Sequence, residues 1–361
     1  MSGMNITIFG YPKTGKTSLF NLLSGARVPV TAYEEARREP NLRTVAVPDP
    51  RLDLISGMHP EKKKVRASLD LVDLAGISFG EVKSSLLLGE LRKADGLVHV
   101  VRAFSNPDIP HPKGGVDPAR DIRFMEEELV LADLVLVTGR LERLEKDLKK
   151  MKDPEAEKER EVLLKVREPL ESGRGLRDFP FSAAEEKLTR SFAFLSRKPL
   201  LHFVNLDETE AACACRPAER FPDIPPGLNV MAFCGRVECE IADLEDPEER
   251  QAFIQDYGLG ELARERFFRS AVSLVDRLTF FTIGKDEVRA WTVRKGSSAS
   301  QAAGAVHTDM EKGFIRAEVI SWETLVRHGS LHAAREAGAV RLEGREYAVQ
   351  DGDILQFRFG Q

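Results

Sequence analysis

Apolar positions along the chain fall into compact runs with different periods. Ile6-Thr7-Ile8-Phe9 is a β-branched and aromatic run that stops at Gly10, and Ser18-Leu19-Phe20-Asn21-Leu22-Leu23 then reads as helix. Four more short runs follow: Leu69–Val72, Leu97–Val101, Leu200–Val204 and Val230–Phe233. Helical stretches separate them, which predicts a mainly parallel sheet with crossover connections, an α/β domain. Between the runs at Leu97 and Leu200 the period changes. Val137, Leu141, Leu144, Leu148 and Met151 alternate spacings of four and three among Glu, Lys and Arg, a heptad seam. Asp153 then offers a cap and Pro154 a first-turn position for a second helix carrying Val162, Leu163, Val166 and Leu170 toward Gly173. The pair predicts an antiparallel helical hairpin, a coiled-coil arm inserted at about 121–195 of a domain spanning 1–276. After Asp276 the runs Thr279–Thr282, Val288–Val293 and Ile354–Phe359, punctuated by Gly344, Gly352 and Asp353, predict a small α+β domain over 277–361.

Composition narrows the class without naming a partner. Of 361 residues, 42% are hydrophobic and 31% charged, the balance of a globular chain. No apolar run approaches the ~20 residues of a spanning helix, and the first residues lack a secretory pattern. The expectation is a cytoplasmic protein with no membrane contact. Cys213, Cys215, Cys234 and Cys239 lie within one short stretch, which points to free thiols. A zinc site from these four is the alternative, although neither spacing is a usual ligand pair. With a formal net charge of -5 there is no global basic field, and nucleic-acid contact would need a local patch.

The chemistry concentrates at strand ends. Gly10-Tyr11-Pro12-Lys13-Thr14-Gly15-Lys16-Thr17 matches G-x-x-x-x-G-K-[ST] between a predicted strand and helix, with Ser18 next in line. Glycines let backbone N–H groups turn inward around phosphate oxygens, and the helix N-terminus adds its positive end. Lys16 is then placed for the β and γ phosphates and the Thr17 hydroxyl for Mg²⁺. Asp73-Leu74-Ala75-Gly76 ends the run at Val72, so Asp73 is a second candidate for Mg²⁺ and the Gly76 N–H for the γ-phosphate. Asn205-Leu206-Asp207-Glu208 ends another run, where guanine-specific relatives place N-K-x-D; here Leu206 replaces the lysine and Glu208 the aspartate. That weakens guanine recognition, while an ordinary turn capped by Asn remains the plain alternative. Cys234, just past Phe233, joins the nucleotide-binding candidates. Ile77 stands where many GTPases carry the glutamine that orients water. The basic runs Lys62–Lys64 and Lys146–Lys152 read as solvated faces.

Together these pieces resemble the Obg-like ATPases of the YchF family over nearly the whole chain. The similar stretches include Glu39-Pro40-Asn41, Val47–Asp53, Val100-Val101-Arg102 and Leu129–Leu134, with Asn205–Glu208 matching the family's N-x-x-E. Glu287–Thr292, His307–Glu318 and Val349–Asp353 resemble its TGS domain, a β-grasp module also found in threonyl-tRNA synthetases. The resemblance implies a slow, Mg²⁺-dependent ATPase switch that works on ribosomes or their subunits, with RNA contact through the TGS domain. A nucleotide-binding scaffold without hydrolysis and a conventional GTPase are the other readings. Three departures bear on hydrolysis more than on binding. The family has asparagine where this chain has Lys13, and a switch threonine where alignment puts Arg37. The stretch from Gly76 to Asp95 is also shorter and poorer in glycine. In related switches that asparagine helps hold a potassium ion against the phosphates; the Lys13 ammonium either supplies the same charge or points to solvent.

Overall fold

A strand, a glycine loop and a helix open the chain: β1 (Met4–Phe9) and α1 (Lys16–Ser24) flank residues 10–15. The computed structural model describes residues 4–30, 39–76 and 85–360. The elements continue with β2 (Asn41–Ala46), α2 (Pro50–Gly57), β3 (Lys63–Val65), β4 (Ser68–Asp73), α3 (Ser85–Lys93) and β5 (Gly96–Arg102). The arm helices α4 (Pro118–Leu148) and α5 (Pro154–Glu171) follow, then α6 (Ala183–Thr189), β6 (Leu200–Asn205), α7 (Pro217–Arg220) and β7 (Asn229–Phe233). Three helices come next: α8 (Gly235–Asp243), α9 (Pro247–Asp256) and α10 (Ala263–Leu274). The last part holds β8 (Arg277–Ile283), β9 (Glu287–Arg294), α11 (Ala299–Val306), α12 (Thr308–Lys312) and β10 (Phe314–Ser321). It ends with α13 (Trp322–His328), α14 (Leu331–Glu336), β11 (Arg341–Glu343) and β12 (Asp353–Phe359).

The chain divides into two compact units, one of Asn5–Arg43 with Leu71–Arg264, the other of Met1–Met4, Thr44–Asp70 and Glu265–Gln361. The second unit thus takes in 44–70, which the sequence reading left in the first domain. The reason is strand pairing: β3 runs parallel to β9, with Lys63 opposite Glu287, and the Lys63 N–H donates to the Asp286 carbonyl at 2.9 Å. A three-residue strand of two lysines and a valine carries no apolar signal of its own.

The sheet bearing the loop has the order β2-β4-β1-β5-β6-β7, and β1–β5, β5–β6 and β6–β7 are all parallel. All seven residues of β5 are buried, as a central parallel strand covered on both faces requires. Phe9, Met125, Leu129 and Leu195 belong to one core cluster, and Val101, Leu206, Val237 and Ile241 to another. Consequently the ends of β1, β5, β6 and β7 deliver Gly10, Arg102, Asn205 and Phe233 to one edge, where ligands sit in open parallel sheets.

The arm's helices start on aspartate caps. The Asp117 carboxylate accepts from the Arg120 N–H, and that of Asp153 from Glu155 and Ala156. Val137, Leu141 and Leu144 are buried against Val162, Leu163, Val166 and Leu170, but Met151 is 72% exposed, so the seam ends before the turn. At the root, buried Asp133 accepts from the N–H groups of Leu195 and Ser196 at 3.0 and 2.8 Å and from the Ser196 hydroxyl at 2.9 Å.

The second unit is a mixed sheet, β11-β10-β12-β8-β9-β3, in which β8 and β9 form an antiparallel pair and β12 lies parallel to β8. Phe280, Val293, Ala302, Phe314, Val319 and Leu355 fill its core. Within it Arg51 stacks 5.4 Å from the Phe281 ring and bonds Asp351 at 2.6 Å, fastening α2 to the C-terminal strands.

Candidate nucleotide-binding site

Residues 10–17 form a loop whose backbone only glycine suits at two places. Gly10 (φ 147°) leaves no room for a side chain, because a Cβ would lie 2.5 Å from the Val100 carbonyl oxygen. At Gly15 (φ 97°) it would lie 2.2 Å from Asn205 Nδ2. Lys13 also sits at positive φ, 60°, where lysine is unfavourable. The Tyr11 carbonyl accepts from Lys16 Nζ at 2.8 Å and from the Thr14 hydroxyl at 3.1 Å, drawing the loop around its own centre. No side chain caps α1, so its first N–H groups face the loop mouth with the positive end of the helix behind them.

The Leu74 N–H donates to the Ile8 carbonyl at 3.0 Å, which sets Asp73–Gly76 beside the loop; a Cβ on Gly76 would lie 2.6 Å from Pro12 Cα. Asp73 is buried, and one of its oxygens accepts from the Thr17 hydroxyl and from Asn41 Nδ2, each at 3.0 Å. A hydroxyl and a carboxylate in contact at the mouth of a phosphate loop are hard oxygen donors suited to Mg²⁺. Asn41 was legible only as part of Glu39-Pro40-Asn41, and its role appears once β2 lies beside β4. Arg37 and Ile77 fall outside the described residues.

Asn205 joins two loops: its amide donates to the Thr14 carbonyl at 3.0 Å and accepts from the Gly235 N–H at 2.9 Å. Around these groups lies a cleft of about 1650 Å³, lined by Lys13, Gly15–Ser18, Asp73, Gly76, Asn205, Leu206 and Glu208. Gly10 and Thr14 lie behind that surface, both buried. Cys234 is 1% exposed and also behind it; burial pushes its thiol up to about 11, and its N–H donates to Glu238. Leu206 is a buried part of the cleft lining, its N–H bonded to the Phe233 carbonyl at 2.7 Å. The Glu208 carboxylate lies 3.5 Å from both the Arg236 guanidinium and the Tyr257 hydroxyl. The wall also contains Phe104, Ser105, Asn106 and Ile109, which no motif had marked. Among the described residues no cluster of three or more His, Cys, Asp or Glu is placed to hold a metal, and the four cysteines are free.

Beneath the loop, His99 and His202 face each other across β5 and β6, with Nδ1 atoms 3.1 Å apart. His202 Nε2 is 3.2 Å from Glu126, which Arg177 grips with two bonds of 2.9 Å. Burial drives both imidazoles below their usual range, His99 further because His202 and Lys16 add repulsion. Glu126 is held at about 2: its contacts with His202 and Arg177 outweigh the opposing effect of burial, the largest single cause.

The chain is similar along its length to proteins of known family. The "Ribosome-binding ATPase YchF" of Bacillus subtilis is 40% identical over 98% of this chain and 98% of its own length. The chain belongs to the YchF family. The YchF of Escherichia coli O157:H7 is 37% identical over 99% of both chains, and Obg-like ATPase 1 of Gallus gallus is 34% identical over 99% of this chain and 93% of its own. The solved structure of the Schizosaccharomyces pombe YchF GTPase superposes with a TM-score of 0.83 at 28% identity, covering 99% of this chain and 98% of that one. Residues 5–165 match the model described as "50S ribosome-binding GTPase", and residues 278–360 match YchF-GTPase_C, described as a protein of unknown function (DUF933). The first unit is therefore a P-loop NTPase domain of the YchF type.

Proposed function

We propose that this protein binds Mg-ATP in the cleft, hydrolyses it slowly, and uses the two nucleotide states as a switch on the ribosome in the cytoplasm. The observation that carries the adenine reading is the Asn205–Glu208 loop. Leu206 is buried where a guanine reader keeps a lysine stem, and Arg236 and Tyr257 already face Glu208. These groups compete for the oxygens of a carboxylate already one methylene longer than a guanine reader's aspartate, which weakens two-point acceptance of a guanine edge. Lys13 to Ser18 hold the polyphosphate, with Lys16 on its outer phosphates. Thr17 and Asp73 hold Mg²⁺, which when bound neutralises phosphate charge. Gly76 offers its N–H to the γ-phosphate. Ribosome action rests on the names of the relatives, and we assign the helical hairpin and a TGS-type second unit, with its RNA contact, to that role.

Calorimetric titration tests the nucleotide: ATP binds more tightly than GTP, and equal or tighter GTP binding refutes the adenine reading. Single-turnover hydrolysis of both nucleotides, with and without ribosomes, tests the switch. Hydrolysis confined to GTP would instead support the GTPase reading, which the name of the 5–165 family model favours.

A further inference from the structure

Arg102 ends β5 and is 3% exposed, yet no carboxylate pairs with it among the described residues. Its fork is spent on one loop instead. Nε donates to the Phe104 carbonyl at 3.1 Å, Nη2 to Asn106 at 3.2 Å and Nη1 to Ile109 at 2.9 Å. The guanidinium also lies 4.7 Å from the centre of the Phe104 ring. A buried cation without a counter-ion is costly, and burial lowers its proton affinity, although arginine stays charged. Such a group persists where its donors organise something. What it organises is the far wall of the cleft, since Phe104, Ser105, Asn106 and Ile109 all line it.

That wall is tied to the base-reading loop. The Ala103 N–H donates to the Asn205 carbonyl at 2.8 Å, and the Ser105 N–H to Asp207 at 3.4 Å. The ends of β5 and β6 thus present two loops to the cleft. One supplies Leu206 and Glu208, the other an aromatic face set on a guanidinium.

We infer that Arg102 is the positioning residue of the nucleobase slot: it shapes the 104–109 loop into the wall that the base meets, and leaves the phosphate subsite alone. This rests on the nucleotide reading above and adds which residue sets the slot. The three bonds leave three different nitrogens of a planar fork, whereas a lysine's three donors all radiate from one nitrogen, so lysine is not an equivalent.

The test compares ATP with inorganic triphosphate, each with Mg²⁺, by calorimetry on the full chain. In Arg102→Met the ATP dissociation constant rises about tenfold or more, while that for triphosphate stays within about twofold. Arg102→Lys, which keeps the charge, falls between. If Arg102→Met fails to fold by circular dichroism, Arg102→Lys carries the test: a several-fold loss for ATP alone supports the role. Equal losses for both ligands, or none for either, overturn it. Unmodified protein that binds no ATP would refute the nucleotide reading itself, a different outcome from normal ATP binding in the variants.

Discussion

Gly15→Ala measures how tightly the phosphate loop and the Asn205–Glu208 loop are locked together. Two separate costs arise. The backbone at Gly15 has φ 97°, ψ 23°, and a left-handed conformation costs an L-residue about 1–2 kcal/mol. The new methyl also lands 2.2 Å from Asn205 Nδ2, so that amide must leave. It then gives up its bonds to Thr14 and Gly235, each worth about 1 kcal/mol net. The loop conformation that binds nucleotide is penalised by about 3–4 kcal/mol, a weakening of ATP on the order of several hundredfold. In an Asn205→Ala background the amide is absent, and only the backbone cost of about 1–2 kcal/mol remains. Titrating ATP into the two single variants and the double variant, with melting temperatures as a check of fold, gives the coupling directly. It is expected near 2 kcal/mol; additivity within about 0.5 kcal/mol would refute the contact.

Glu208→Asp combined with Leu206→Lys moves preference toward GTP, because the shorter carboxylate and the packed stem are restored; an unchanged ATP-to-GTP affinity ratio would count against the base assignment. His99 and His202 are neutral in the fold, their proton affinity depressed by burial, with Lys16 and Arg177 cationic nearby and Glu126 anionic. The unfolded chain protonates them below about pH 6.5 while the fold resists, so their contribution is present above that pH and falls as pH drops, by up to about 1.4 kcal/mol per unit for each histidine. Urea midpoints between pH 7.5 and 5.5 should fall in the unmodified protein and fall less in His202→Phe; equal slopes refute the assignment. Lys13→Asn should raise stability by about 0.5–1 kcal/mol, since asparagine tolerates φ 60° better. If the Lys13 ammonium stands in for potassium, single-turnover hydrolysis is equal in sodium and potassium salts and becomes potassium-dependent in Lys13→Asn, whereas potassium stimulation of the unmodified protein rules this out.

The strands read most directly from the sequence are those buried along nearly their whole length. Ile6–Phe9, Leu97–Val101 and Leu200–Val204 are apolar but for Thr7, His99 and His202, because neighbours cover them above and below. The arm was legible for the same kind of reason, a period that only a helix satisfies, although Met151 continued the heptad beyond the packed seam. β2 and β3 were not. Asn41–Ala46 buries only Val45, and Lys63–Val65 is held by backbone pairing to β9. Pairing leaves no mark on side-chain pattern when the strand is short and its faces are open.

The site divides along the same line. Backbone-shaped chemistry has a sequence signature, since Gly10, Gly15 and Gly76 each stand where a Cβ would strike a neighbouring segment. Side chains that act across the fold have none. Asn41 reaches Asp73 only after β2 joins the sheet, and Arg102 turns back onto the carbonyls of its own successors Phe104, Asn106 and Ile109. Arg102 was visible as the last residue of Val100-Val101-Arg102, but its position gave no reason for a charge. Asp108 lies in the same loop but is exposed and does not meet the cation at the end of this fully buried strand, so the loop is folded onto Arg102 by its carbonyls instead. The charge thus stands, without a carboxylate partner, at the edge of the sheet where the cleft opens.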